Sequence, residues 1–550
     1  MLINARPSPT RLLLIGILLA GLLLRLRGLG FGLPALYDPD EPLFVLTGLK
    51  LLRDGTLNPG WFGHPGTQTI YVLAAIGAGL FGWGRLTGAF PNAEAFAQSI
   101  YHDPTALFLS GRVFMVVCAL VVILLTWLVA RRLFDARTGL LAAALLAIDP
   151  IHIRWSQVIR TDVHATVFVL LTLLAAVAVA RRGALRDYAW AGVALGFACA
   201  TKWPSAAAAI GLIGAAALRW HDDPGERRRI IAGLTLFGVA AVAGLFVASP
   251  YLFLDWRTVL VNLHGEGRAT HLSATGNGLF PNMAWYLMGP LAQGLSWAGL
   301  VLAAAGLWLG ARRSRMFAAV VVPVTTAFFV IISGQALIWE RWVVPLLPLL
   351  SIAAAVSMLT VIDWAASRWG RRGAWVAALS TGLAVALPLA ITGNAQAAER
   401  RTDTRRLASD WARAHIAPGS SVAIEYPAFD VLGQPWRFLY PVGNAGCVDA
   451  RAALQGKVRY STVLHKQGER TVIDLANIPP ERIASCRGDW LMIVNWDRYH
   501  DEAPRYPAEL AIYRRMTAGG VEAATFRPAP GEIGGPVVRI VRLAKASPRR

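Results

Sequence analysis

Apolar runs close to the length of a bilayer-crossing helix recur along most of this chain, separated by short polar junctions. A hydrocarbon layer about 30 Å thick needs about 20 apolar residues per helix. The runs fall at 12–33, 108–130, 138–150, 163–180, 188–203, 204–220, 230–249, 285–310, 316–333, 342–362 and 374–393. Clusters of arginine stand between alternate pairs of runs: Arg131, Arg132 and Arg137; Arg181, Arg182 and Arg186; Arg227, Arg228 and Arg229; Arg312, Arg313 and Arg315; Arg368, Arg371 and Arg372. Cytoplasmic loops are enriched in Lys and Arg. Placing these clusters inside gives about eleven crossings, with the N-terminus inside and the tail outside. The first run, preceded by Arg6 and Arg11, lacks the small-residue cleavage site of a removable signal and reads as the first span. Parity then requires the apolar stretch Thr69 to Trp83 not to cross. It is expected in the outer leaflet, within a long first external loop over about 34–107.

After Gly393 the composition turns polar and rich in Arg and Pro, without a spanning run. The expected organisation is an all-α polytopic membrane domain over 1–394 and a small extracytoplasmic α/β domain over 395–550. In the tail, Asp403 to Ala414 reads as a helix with Leu407 and Trp411 on one face, stopped by Pro418-Gly419. Ser421 to Tyr426, Trp490 to Trp496 and Val537 to Leu543 read as strands. Cys118 and Cys199 fall inside predicted helices and read as packing residues. Cys447 and Cys486 lie in the tail, where an oxidising compartment permits a disulfide, although spacing alone does not set their separation.

Composition changes this picture in one respect. The chain of 550 residues is 55% hydrophobic and only 16% charged, which rules out an ordinary soluble enzyme. Its 53 Lys and Arg against 33 Asp and Glu give a formal charge of +20, in a soluble protein a sign of a nucleic-acid partner. Here most of the excess is membrane topology, so membrane lipids and no nucleic acid are expected as partners. The chain has no GxxxxGK[ST] loop and no CxxC motif, so neither ATP-driven chemistry nor a cysteine zinc site has support.

Candidate chemistry gathers where junctions face outward. Tyr37-Asp38-Pro39-Asp40-Glu41-Pro42 packs three carboxylates into four residues directly after the first run, an arrangement that needs water, a cation or basic partners. Asp162, just ahead of the run from Val163, would lie on the same face, unless it merely supports the helix N-terminus. Lys202, in the tight turn Thr201-Lys202-Trp203-Pro204, opposes the positive-inside bias, and Arg341 lies in Trp339-Glu340-Arg341-Trp342. Arg25 and Arg27 stand near the outer end of the first helix, where ionisable groups are costly and usually paired or functional. For all four cations, snorkelling or pairing with a carboxylate is the structural alternative. His64-Pro65-Gly66 opens the non-crossing stretch, and a histidine there is as readily a loop residue.

Taken in chain order these residues resemble a known family, the lipid-linked-sugar glycosyltransferases of the GT-C fold, in particular the protein O-mannosyltransferase and aminoarabinose-transferase-like group. The resemblance rests on Asp40-Glu41-Pro42-Leu43-Phe44, His64-Pro65, Arg112, Arg131-Arg132-Leu133-Phe134 with Gly139, Asp162, Thr201-Lys202-Trp203, and Arg341 with Pro345 and Pro348, and covers roughly residues 12 to 393. Pro42 replaces a small residue and Gly66 a second proline of the usual pattern. The resemblance implies a polyprenyl-phosphate-linked sugar donor, and transfer to a lipid, glycan or protein acceptor on the outer face of the cytoplasmic membrane. It assigns Asp40 as the base with Glu41 orienting base or acceptor. Lys202, Arg341 and more weakly Arg27 would face the donor phosphate. Asp38 and His64 stand on the acceptor side or as loop residues, and Asp162 orients the acceptor. Asp38, Asp40 and Asp162 carry the hard oxygens a divalent cation takes, and metal dependence stays open. The competing reading is a polytopic transporter or flippase for a lipid-linked or anionic solute, which would be expected to carry inverted repeats; no internal repeat is evident.

Overall fold

The apolar runs become helices because they are built of Leu, Ala, Val and Gly with few breakers, and the breakers decide where each ends. The computed structural model describes residues 8–425, 429–449, 452 and 474–543. In chain order the first helices are α1 (Pro9–Leu26), α2 (Glu41–Asp54), α3 (Thr67–Thr87), α4 (Ala93–His102) and α5 (Thr105–Leu133). They are followed by α6 (Ala136–Ile148), α7 (Pro150–Ser156), α8 (Thr161–Arg182), α9 (Leu185–Thr201) and α10 (Ala209–Asp222). Next come α11 (Arg227–Ala248), α12 (Tyr251–Leu254), α13 (Trp256–Glu266), α14 (Leu279–Tyr286), α15 (Ala292–Arg313), α16 (Arg315–Ser333) and α17 (Leu347–Arg401).

Most of each expected run is helical, with differences of length and continuity: the first run, 12–33, stays helical only to Leu26, and 285–310 passes through α14, a π-helical turn Leu287–Leu291 and α15. The run 138–150 stops at Ile148, because Asp149 leaves the helical conformation and caps a new helix, accepting from the His152 N–H at 2.9 Å. The pair α6 and α7 is bent by 63° there. The run 204–220 begins as a 3₁₀ turn, Trp203–Ala208, which leaves α10 only 14 residues. The last two runs share α17, broken at Trp369 and Gly370, where Gly370 takes φ 63°. Among the described residues eight helices are long and apolar enough to cross a membrane, or nine with the bent pair. α3 is one of them, although it covers the stretch expected to lie in the outer leaflet.

The chain forms two units. The first comprises Met1–Leu29, Asp40–Ile100 and Ala106–Gly393. Its core is a continuous cluster that includes Val122, Ile123, Leu146, Leu170, Leu173, Leu212, Val320 and Leu347. Small residues bring α9 and α11 together. A β-carbon on Gly192 would come within 2.3 Å of the Phe237 carbonyl oxygen, and one on Gly196 within 2.3 Å of that of Ala241. This is the small-xxx-small packing that membrane helices use in place of a hydrophobic drive.

The second unit comprises Gly30–Pro39, Tyr101–Thr105 and Asn394–Arg550. It holds α18 (Thr404–His415), capped by the Asp403 carboxylate on the Arg405 N–H at 2.9 Å. Its strands are β1 (Ser421–Ile424), β2 (Arg437–Pro441), β3 (Cys447–Asp449), β4 (Trp490–Ile493), β5 (Gly520–Phe526) and β6 (Val538–Leu543). They form one sheet in the order β3-β2-β1-β4-β6-β5, with β1 parallel to β2 and β4 and the other pairs antiparallel. The helix and three strands read from the tail thus fall close to where its sequence places them, except that the second strand ends at Ile493 and Trp496 instead opens a short helix, Trp496–Asp501; Tyr426 lies outside the described residues. Cys447 and Cys486 are joined in a disulfide with their Cα atoms 4.9 Å apart.

Candidate active site

The first unit brings residues from five separate segments to one place, each fixed by local chemistry. The clasp beneath it is Glu41, the first residue of α2. Its carboxylate takes a forked pair of hydrogen bonds from Arg112 of α5, Nε at 2.8 Å and Nη2 at 2.6 Å, and a third from the Ile159 N–H at 2.9 Å. Arg112 also donates to the Leu29 carbonyl at 2.8 Å, and both side chains are fully buried. A planar guanidinium matches a carboxylate in this bidentate way. Glu41 therefore ties the start of α2 to the segment between α7 and α8, one residue from Asp40 on one side and one residue from Arg160 on the other. It positions the chemistry and is itself fully engaged.

Asp40 accepts from Arg160. Asp162 lies in the first turn of α8, where the helix N-terminus favours an anion, and accepts from Lys202, the residue that ends α9. Arg341 stands between the two carboxylates, 4.0 Å from Asp40 Oδ2 through Nη2 and 3.9 Å from Asp162 Oδ2 through Nε. Asp162 is 2% exposed and Lys202 and Arg341 each 6%, whereas the Asp40 side chain is 36% exposed. Burial by itself would raise the Asp40 carboxyl, but the charges of Arg160 and Arg341 outweigh it and hold it below the ordinary carboxylate range. Asp40 is thus an ionised, accessible carboxylate at the mouth of an otherwise buried charge cluster.

Backbone pairing delivers the cations. Pro65 bridges Lys202, the Gly66 N–H donates to the Thr201 carbonyl at 3.2 Å, and the Trp203 N–H donates to that of His64 at 3.1 Å. Gly66 is required in this corner: it has φ 69°, and a β-carbon would meet the Phe44 ring at 2.9 Å. Arg341 sits on a 3₁₀ turn, Glu340–Val343, with its guanidinium over the Trp339 ring at 4.3 Å. That turn is anchored by Glu340, which accepts from Trp155 Nε1 at 2.9 Å and Arg154 at 3.3 Å. His64 packs against Phe44 and Trp61. Burial, together with Lys202 and Arg341, pushes its pKa down to about 3, so the ring is neutral.

Of the residues singled out in the sequence, Asp40, Asp162, Lys202 and Arg341 meet directly, and His64 lies beside them. Arg27 is the exposed residue that caps the C-terminus of α1, its carbonyl accepting from Gln157 Nε2 at 2.9 Å. Asp38 falls in the segment that belongs to the second unit. Arg160 was not singled out: it stands two residues before Asp162 in a junction with no periodicity to tell which way a side chain points. The donor set does not suit a divalent cation. Asp40 and Asp162 are each bonded to a cation, and among the described residues no three His, Cys, Asp or Glu side chains gather as metal ligands.

Residues 105–254, from α5 through α12, match the family described as dolichyl-phosphate-mannose-protein mannosyltransferase. No curated protein matches the chain significantly in sequence. Among solved structures, ArnT from Cupriavidus metallidurans bound to undecaprenyl phosphate superposes with a TM-score of 0.52 at 15% identity, covering 99% of this chain and 100% of that one. The oligosaccharyltransferase AglB from Archaeoglobus fulgidus, in complex with an inhibitory peptide and a dolichol-phosphate, gives 0.51 at 13% identity over 92% of this chain and 72% of that one. The chain carries the GT-C fold of the membrane glycosyltransferases, with the dolichyl-phosphate-mannose-protein mannosyltransferase pattern in residues 105–254.

Proposed function

We propose that this protein moves a sugar from a polyprenyl-phosphate donor to an acceptor hydroxyl on the outer face of the cytoplasmic membrane, with residues 395–550 on the same side. The observation that carries the reading is the cluster itself: Arg160, Lys202 and Arg341 against Asp40 and Asp162, three positive charges to two negative, largely out of water. Such a cluster favours an anionic group such as a lipid phosphate. In the transfer, Asp40 takes the proton of the acceptor hydroxyl as its oxygen bonds to the anomeric carbon. The bond from that carbon to the phosphate oxygen breaks, and its electron pair stays on the phosphate. Lys202 and Arg341 stabilise the charge that develops there, and preorganised cations do this best in a site closed to water. Asp162 holds Lys202 in place, and Arg160 holds Asp40.

A strain lacking the gene, complemented with wild-type protein or with Asp40→Asn, tests this. Mass spectrometry of its lipid-linked glycans and outer-surface glycoconjugates is expected to show one conjugate lost and its lipid-linked donor accumulated, restored by wild type and not by Asp40→Asn. Full restoration by a folded, inserted Asp40→Asn would remove Asp40 as the base.

A further inference from the structure

The site has a third carboxylate that neither cation pairing nor the transfer described above uses. Glu266 ends α13, in the segment between α11 and α14. Three contacts strap that segment to the loop carrying His64. Asn58 Nδ2 donates to Asp255 at 2.9 Å, the Phe62 N–H donates to Asn262 Oδ1 at 2.7 Å, and Phe62, Leu252 and Val259 form a small buried core. Glu266 lies one helical turn beyond Asn262 and so on the same face of α13. The strap sets its carboxylate against Gly63: a β-carbon there would come within 2.6 Å of Glu266 Oε1 and 3.0 Å of its carboxyl carbon. Gly63 is thus a glycine that leaves room for this group.

Gly63 precedes His64, which lies beside the cluster, and the charges of Asp40 and Arg341 both act on the Glu266 carboxyl. Its state is nevertheless different. Asp40 and Asp162 are bonded to cations, while the exposed Glu266 side chain makes no hydrogen bond or ion pair among the described residues. Partial desolvation of its carboxyl raises its pKa, Arg268 opposes this, Asp40 reinforces it and Arg341 opposes it. A carboxylate left open beside a cluster of satisfied ones has its hydrogen-bonding capacity in reserve for an incoming group.

We infer that Glu266 is an acceptor-binding residue, receiving a hydrogen bond from a hydroxyl or ammonium group of the acceptor at the outer edge of the Asp40 site. This rests on the transferase reading above and adds a selectivity to it: a negative charge at this point disfavours acceptors that are anionic next to the reacting hydroxyl.

The test uses full-length protein in membranes that supply their own donor. Acceptor is added as a dilution series of the polar-lipid and envelope-protein fractions from a strain lacking the gene. Glu266→Gln and Glu266→Ala are expected to raise the apparent acceptor KM roughly ten- to a hundredfold, as loss of a charged hydrogen bond does, with the donor KM within about twofold and partial rescue by Glu266→Asp. Water-soluble carbodiimide with glycine ethyl ester is expected to label Glu266 ahead of Asp40 and Asp162, and the acceptor fraction to protect it. Wild-type acceptor dependence in both Glu266 variants, with Asp40→Asn inactive, overturns the inference and leaves the transferase site standing. Normal transfer by Asp40→Asn as well overturns both.

Discussion

The Glu41–Arg112 clasp permits a quantitative test. Replacing Arg112 with Leu removes the forked bond to Glu41 and the bond to the Leu29 carbonyl together, and leaves Glu41 with the Ile159 N–H as its one partner from this network. Both side chains are fully buried, so the stranded carboxylate is the dominant cost. Breaking a buried pair in this way costs about 3–5 kcal/mol, far more than the net worth of the pair itself. Replacing both residues, Glu41→Leu with Arg112→Leu, removes the stranded charge and is expected to recover much of that loss. The double variant should therefore be less destabilised than the sum of the two single ones by about 2 kcal/mol or more. Unfolding in mixed micelles, followed by tryptophan fluorescence for wild type, both singles and the double, reads this coupling. Additive effects within about 0.5 kcal/mol would refute the reasoning, because residues without mutual contact behave in that way. The double variant should also lose transfer despite its recovered stability, since Asp40 and Arg160 flank the clasp.

Three further outcomes follow from the geometry. Lys202→Ala leaves Asp162 with Arg341 as its nearby cation and removes a cation proposed to face the donor phosphate, so transfer should fall about 10²–10³-fold with donor use affected more than acceptor use, read from initial rates against each substrate. In the second unit Glu425 is buried, accepts from the Val494 N–H and from Tyr513, and faces Asp474, which Tyr513 also reaches at 2.9 Å. Burial first, then Asp474, raises its pKa well above that of a free glutamate. The folded unit thus keeps a proton that the unfolded chain releases near pH 4.3, so this group's contribution falls as pH rises above that value. Hydrogen exchange across β1 and β4 should show that slope flattened in Glu425→Gln. Cys447→Ser with Cys486→Ser opens a loop of 39 residues' separation and should cost about 4 kcal/mol in the chain-entropy account, seen as faster exchange in β3 and around Cys486.

Much of this architecture was legible in the chain because its causes are local. Apolar length made the helices, and arginine placement marked alternate junctions. Asp40, Asp162, Lys202 and Arg341 stood out because charges at the ends of apolar helices are expensive unless paired. The structure shows that they pair with one another. What stayed hidden depends on contacts distant in sequence. Arg112 read only as an arginine opening a span, yet its partner Glu41 lies 71 residues away. Arg160 looked like any other junction residue until α8 fixed its direction toward Asp40. Glu266 sits at the end of a short helix in a polar segment, and only the strap to Phe62 brings it to the site. The break at Asp149 was unreadable for a related reason: one aspartate at the end of an apolar run is equally consistent with a helix end and with a cap that starts another helix. Arg25, flagged at the sequence level only as costly, grips that elbow by donating to the Ala147 carbonyl at 3.0 Å and contacting His152 Nδ1 at 2.7 Å.

The central claim is that the Asp40–Lys202 cluster transfers sugar from a membrane lipid. Its most direct test is purified protein in proteoliposomes loaded with the lipid-linked sugar fraction, with acceptor outside and a sealed fluorescent or radiolabelled solute inside. The account expects wild type to convert acceptor to glycosylated product with release of polyprenyl phosphate and no solute movement, and Asp40→Asn to lose product about 10²–10⁴-fold while remaining folded. Solute or lipid movement without product, unchanged by Asp40→Asn, would contradict it and identify a transporter.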